Sequence, residues 1–190
     1  GMQFLDAPVS GGQAKALTGE ITIMASGSPA AFDKGLPVLD AISAKIFRLG
    51  PEIGLGSKIK MINQLLAGVH IAAAAEALTL AAHIGLDLKT VYDVIKVSAG
   101  SSWMFENRGA HIVEADYAPR STVNIFVKDL GIVTSEAGQT KAAVPIAQAA
   151  LELFEEAKAL GYALEDDAAV AKVLARRSGT ALPGFDGKKA

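Results

Sequence analysis

The 190-residue chain contains no cysteine. Disulfides, thiolate metal sites and cysteine nucleophiles are therefore excluded. The composition suits a reducing compartment, and a cytoplasmic location is expected. Histidine is nearly as scarce: His70, His83 and His111 are the three in the chain, and they are dispersed. His70 and His83 fall on different faces of any helix that carries both. With no His/Asp/Glu group at ligand spacing, no metal site is expected. No Ser/His/Asp set or nucleophile elbow is legible. An excess of one charge is also missing: 18 Lys and Arg against 20 Asp and Glu leave a net charge of −2. Without a basic stripe, neither nucleic acid nor an anionic membrane surface is an expected partner. Residues 1–20 lack a basic segment followed by an apolar run, so no secretory signal is read there. The longest apolar stretch, LLAGVHIAAAAEALTLAAHIGL (65–86), is rich in alanine and holds His70, Glu76 and His83. It reads as a buried helix of a soluble protein and not as a membrane span. Gly1 ahead of Met2 reads as the scar of a tag, and a cut or processed chain is expected.

What is present is a globular composition, 51% apolar and 20% charged, with side chains enough for a packed core. The first fifty residues alternate between strand and helix signals. Residues 3–6, 19–26 and 45–50 read as short strands. Ser28-Pro29 reads as an N-cap followed by Pro at the first helical position, opening a helix to about Ile42. After Pro51 the strand signals stop. A long helical pattern covers 57–84 and ends at Gly85. Asp87 caps a helix over 88–98, residues 101–114 are helical, and Ser121 is expected to cap a helix over 122–139. Pro145 opens another helix, ended by Gly161, and Asp166-Asp167 precede a last one over 168–177. From Gly179 the tail is loop. Three short strands make a poor independent sheet, so residues 1–53 read as the end of a larger α/β domain and residues 54–190 as an all-helical domain. Small residues along the long helix (Ala67, Gly68, Ala72 to Ala75, Ala77, Ala81, Ala82) suit close helix–helix contact, as an oligomer interface needs.

Three stretches carry candidate chemistry. FLDAPVSGG ends in Ser10-Gly11-Gly12, a loop behind a short strand that can turn a corner or hold an anion. GLGSKIKMINQ (54–64) has the look of a phosphate loop but lacks both the strand and third glycine of a dinucleotide loop and the Gly-Lys-Ser/Thr of a Walker loop. Its Lys60, Asn63 and Gln64 share one helix face, where a lysine and an amide can bind a carboxylate or hydroxyl and pass a proton. The bland alternative is a solvated lysine near a helix start. IFVKDLGIV (125–133) sets Lys128 and Asp129 into an apolar helix. Such charges are paired, face a cleft, or form an exposed edge with Asn124 and Gly131. In SSWMFENRG, Trp103 and Phe105 read as core knobs beside a solvated polar face of Glu106, Asn107 and Arg108.

DAPVSGG (6–12), GLGSKIKMINQ (54–64) and NIFVKDLGI (124–132) occur in the order seen in the β-hydroxyacid dehydrogenases, the group of 3-hydroxyisobutyrate dehydrogenase and tartronate semialdehyde reductase. The resemblance covers essentially the whole chain. SSWMFENRGAHIVEADYAPRSTVNIFVKDLG and EDDAAVAKV most resemble a sugar-acid branch of that family. The resemblance implies the end of an NAD-binding Rossmann domain followed by an all-α domain like the C-terminal domain of 6-phosphogluconate dehydrogenase. The family's glycine fingerprint and first acidic ribose partner have no counterpart here.

Carried over residue by residue, the resemblance implies that Ser10, Gly11 and Gly12 hold the substrate carboxylate. Lys60 is then the catalytic acid/base on the C2 hydroxyl, with Asn63, or else Gln64, as the amide beside it. Lys128 reaches the cofactor, and Asp129 orients a lysine. The implied cofactor is NAD or NADP, and the implied partners are a small sugar acid or hydroxy acid and further copies of the chain through the helical domain. The isolated chain is expected to be inactive. The rival of another class is a non-catalytic helical oligomerisation module.

Overall fold

The computed structural model describes residues 2–188; Gly1, Lys189 and Ala190, the last two at the end of the expected tail loop, lie outside the described residues. The chain divides into two compact units, one ending at Asn63 and one beginning at Gln64.

The first unit is built on β3 (Ile21–Gly27). Strands β1 (Leu5–Asp6) and β2 (Val9–Ser10) follow one another antiparallel along one of its edges, with Leu5 opposite Gly27 and Val9 opposite Ile23. Between them the Pro8 carbonyl accepts the Met24 N–H at 3.0 Å. On the other edge β4 (Ser43–Arg48) runs parallel, with Ile23 opposite Ile46. A parallel neighbour needs a crossover, and α2 (Pro29–Ile42) supplies it. The Ser28 side chain accepts the Ala31 N–H at 3.2 Å with Pro29 directly behind it, as the local signals dictate. Ile21, Ile23, Ala25 and Phe32 form the buried centre, with Leu5, Ala7, Leu39 and Ile46 packed around it. Strand β2 and helix α1 (Gly12–Leu17) carry no signal in the sequence. The former is two residues long behind a proline, and the latter buries no residue, so neither has an apolar period to read.

The long helix α3 (Leu55–His83) begins in this unit and continues into the second. By length and composition it could cross a membrane, but half of its most apolar window is buried in the protein's own interior. The second unit adds α4 (Leu88–Ile95), α5 (Trp103–Val113), α6 (Val123–Thr140), α7 (Pro145–Ala157) and α8 (Val170–Ser178). Asp87 caps α4 through the Thr90 N–H at 2.8 Å, and Gly179 ends α8 in the left-handed region. The small face of α3 is used inside the chain. A methyl group on Gly68 would lie 2.9 Å from Phe126 Cδ1 and 3.0 Å from Leu130, so α6 seats directly on the α3 backbone. Phe126 in turn stacks on Phe154 of α7, ring centroids 5.3 Å apart.

Three expectations need correction. The helix expected to run from Pro145 to Gly161 stops as an α-helix at Ala157, and a five-residue wider turn carries the chain to Tyr162, with Gly161 at φ 93°. Ser121 does not cap α6. Thr122 stands at that position without a side-chain bond, and the first helical N–H groups of Val123 and Asn124 donate to the carbonyls of Glu165 and Ala163. The cap is thus tertiary, supplied by the segment leading into α8. Finally, Trp103 is half exposed while Phe105 is buried and stacked on Tyr92. The polar side of α5 is not solvated throughout: Arg108 and His111 are buried.

Candidate functional site

In the first unit, Ser10 is paired with Thr22 at the end of β2, and the chain then enters α1 through Gly11 at φ 136° and Gly12 at φ 63°. Two successive residues in a region that disfavours side chains make the glycine pair a conformational requirement. At Gly11 a methyl group would also meet Lys15 Cβ at 2.8 Å. The result is a tight, accessible corner whose backbone can approach an anionic group closely.

Lys60 lies in the second turn of α3, half-buried, with Asn63 and Gln64 one turn further on the same side. The start of that helix explains its glycines without any phosphate. Gly54 takes φ 101° at the turn into the helix. Gly56 sits against the sheet so tightly that a methyl group would fall 2.2 Å from the Met24 carbonyl oxygen. One hydroxyl and one carboxylate then take N–H groups at the start of the helix. Gly56 N donates to Ser26 Oγ at 3.3 Å, and Ser57 N donates to Asp6 Oδ2 at 2.8 Å. Ser57 Oγ donates to Asp6 Oδ1 at 2.6 Å, and Ser26 Oγ to Asp6 Oδ2 at 3.3 Å. Partial burial pushes the Asp6 carboxyl up, but the bonds from Ser57, Ser26 and Gly54 outweigh it and hold the pKa below the ordinary aspartate value.

In the second unit, Asp129 is buried on α6, and its two oxygens have different partners. Gln64 Nε2 donates to Oδ2 at 2.5 Å, and the Lys128 ammonium lies 2.9 Å from Oδ1. The Lys128 side chain is itself 66% exposed. An ion pair so open adds little stability, and its consequence is to hold a positive charge at one place on the surface of α6.

A second polar cluster in this unit was not legible in the sequence. Arg108 Nε donates to Asp167 Oδ1 at 2.5 Å and Nη2 to Oδ2 at 3.2 Å, while Nη1 donates to Asn107. His111 Nδ1 lies 2.9 Å from Asp166 Oδ1. Asp166 also accepts the Ala168 and Arg120 N–H groups. Both aspartates are fully buried. Burial pushes Asp167 above the ordinary value despite the pull of Arg108. Burial acts the same way on Asp166, but there the bonds from His111, Ala168 and Arg120 and the charge of Arg108 prevail, and its pKa is lowered. Next to them Lys172 pairs with Glu165 and lies over the rings of Tyr117 and Tyr162, at 4.2 and 5.1 Å from their centroids. Burial pushes the Tyr117 phenol up to about 12. This cluster ties α5 to the segment that caps α6. Among the described residues no group of three or more His, Asp or Glu could hold a metal ion.

Residues 54–174 match the family model described as NAD-binding of NADP-dependent 3-hydroxyisobutyrate dehydrogenase. Residues 1–50 match that of the NAD binding domain of 6-phosphogluconate dehydrogenase. Among curated proteins, the L-threonate dehydrogenase of Escherichia coli (strain K12) is 54% identical over 183 residues, 96% of this chain and 60% of the relative. The L-threonate dehydrogenase of Haemophilus influenzae is 55% identical over the same span and shares. Among solved structures, a 3-hydroxyisobutyrate dehydrogenase from Salmonella typhimurium superposes with a TM-score of 0.87 at 55% identity, covering 90% of this chain and 60% of that one. The chain therefore spans about 60% of the length of these relatives.

Proposed function

We propose, on the premise that this chain belongs to the 3-hydroxyisobutyrate dehydrogenase family, that the full-length protein is an NAD(P)-dependent dehydrogenase oxidising the C2 alcohol of L-threonate to the 2-oxo acid. The observation that carries this reading is the 54–55% identity to two L-threonate dehydrogenases over 183 residues. In the same reading, residues 1–53 close a Rossmann domain, and residues 54–190 form a helical domain of the 6-phosphogluconate dehydrogenase C-terminal type.

The residue roles follow from chemistry. Ser10, Gly11 and Gly12 hold the substrate carboxylate in the corner between β2 and α1. Lys60 takes the proton of the C2 hydroxyl on oxidation and returns one on reduction. Its position on a long, stiff helix suits a group that must be held steady. Asn63 steadies the reacting hydroxyl. Gln64, the second candidate for that contact, donates its amide N–H to Asp129. The nicotinamide cofactor, when bound, supplies the acceptor for the hydride. Lys128 and Asp129 fit an outer contact to it: the buried carboxylate steers an exposed ammonium that suits a phosphate or ribose oxygen. The glycine-rich pyrophosphate cradle has no counterpart in these 190 residues. Assembly through the helical part belongs to the same reading, and exposed Ile59, Ile62, Leu66 and Leu80 give α3 apolar surface for it.

A panel of hydroxy acids with NAD+ and NADP+ tests the substrate. L-Threonate is expected to exceed 3-hydroxyisobutyrate in kcat/KM by at least about tenfold, the scale of discrimination a few polar contacts provide. The name carried by the Salmonella structure favours 3-hydroxyisobutyrate as the second candidate; preference for it, or for tartronate semialdehyde in the reductive direction, overturns the threonate assignment. No oxidation of any hydroxy acid with either nucleotide would favour the non-catalytic helical module.

A further inference from the structure

We infer that Asp6 is a positioning residue for Lys60: its carboxylate fastens the first turn of α3 to the strand that leads into the Ser10–Gly12 loop. The inference rests on the reading of Lys60 as the reacting base.

The position before Leu55 in the chain is Gly54, which has no side chain to cap the helix. A helix start normally draws a cap from its own preceding residue. Here the cap comes from a carboxylate 51 residues upstream. Asp6 binds both the backbone N–H and the hydroxyl of Ser57, so it restrains the rotation of the first turn as well as its position. Ser26 joins the same contact, donating to Asp6 and accepting from Gly56. The close approach of Gly56 to the Met24 carbonyl sets the depth at which the turn sits. A carboxylate at a helix N-terminus is further favoured by the helix dipole, in line with the lowered Asp6 pKa.

The two ends of this contact are the two parts of the proposed chemistry. Lys60 follows Ser57 by three residues, less than one helical turn. On the other side, Asp6 precedes Ser10 by four residues. The intervening segment is held to β3 by the β1 and β2 pairings and by the Pro8 carbonyl. A base and a substrate-carboxylate cradle must keep one separation, because a misplacement of about 1 Å costs on the order of a hundredfold in rate. The Asp6 carboxylate bonds both to Ser26 on β3, the strand against which the cradle's strand is paired, and to Ser57 on the lysine's helix.

The test compares Asp6→Ala, Asp6→Asn, Ser57→Ala and Lys60→Ala in the full-length protein with L-threonate and nicotinamide cofactor. Asp6→Ala is expected to lower kcat by about 30-fold or more while the KM for cofactor stays within about twofold. Asp6→Asn keeps one acceptor for the Ser57 N–H and is expected to lower kcat by about four- to tenfold. Ser57→Ala, which loses only the hydroxyl bond, is expected to lower kcat by about three- to tenfold. If Asp6→Ala does not fold, the Asn and Ser57 variants decide. A kcat within about threefold of the parent in the folded variants, with only a lower melting temperature, overturns the inference and leaves Asp6 a structural cap. A parallel rise of cofactor KM with the fall in kcat overturns it as well. If Lys60→Ala keeps its turnover, the catalytic reading fails and the inference with it. If Lys60→Ala loses turnover and the Asp6 variants do not, the inference alone fails.

Discussion

Lys60→Ala is expected to lower kcat for hydroxy-acid oxidation by about a thousandfold in the full-length protein, within the range of 10²–10⁴ for a positioned acid/base group. That factor corresponds to about 4 kcal/mol of transition-state stabilisation. The loss should fall on kcat and kcat/KM together, because proton transfer occurs only in the transition state. Cofactor affinity, read by titrating the reduced nicotinamide fluorescence, should stay within about twofold. A variant that keeps a tenth or more of the parent activity removes Lys60 from the reaction. The alanine leaves the first turn of α3 intact, since the contacts of Gly56 and Ser57 to Ser26 and Asp6 do not pass through the Lys60 side chain.

The largest expected effect on stability is at Arg108. Arg108→Met keeps the apolar stem and leaves Asp167 buried without its partner. Removing one member of a buried pair typically costs about 3–5 kcal/mol, read here as a lower urea midpoint. The pH dependence has a definite sign. Burial already raises the Asp167 pKa, and Arg108 opposes that rise. Without Arg108 the folded-state pKa climbs further above its unfolded value, so the protonated, folded form gains as pH falls. The variant's deficit should therefore be greatest near about pH 7 and shrink toward about pH 4. Asp166 has the opposite sign: its lowered pKa contributes stability above the unfolded value, lost as pH falls through the folded one. Arg108 helps hold that pKa down, so in the variant the Asp166 contribution at neutral pH is smaller too, and the deficit shrinks in the same direction as pH falls. A double variant, Arg108→Met with Asp167→Leu, is expected to recover most of the deficit, because it removes the uncompensated charge. Equal deficits at both pH values, or no recovery in the double variant, contradict this account of the cluster.

Local signals were legible wherever the chemistry is local. Ser28-Pro29, Asp87 and Gly85 mark helix ends that the structure reproduces, because each acts through bonds to residues a few positions away. The long apolar pattern gave α3 to within about two residues, the usual uncertainty of an end. What could not be read depends on partners far along the chain. Ser121 carries a capping side chain, yet α6 is capped by carbonyls some forty residues later. Arg108 reads as surface because its partner, Asp167, stands 59 residues away. Asp6 reads as one letter of a loop motif until Ser57 appears beside it, 51 positions on. Of the candidate site, the helical spacing of Lys60, Asn63 and Gln64 was visible from period alone. That Gln64 turns its amide to Asp129 was not, since the two are 65 residues apart.

In the proposed reaction Lys60 carries the proton of the reacting hydroxyl. The most direct test is the pH dependence of kcat/KM for L-threonate oxidation in the full-length parent and in Lys60→Ala. In the parent, kcat/KM should rise with pH through one ionisation to a plateau, since only the neutral lysine accepts a proton. In the variant, the residual rate should lack that ionisation. The same ionisation persisting after Lys60 is gone would contradict the claim.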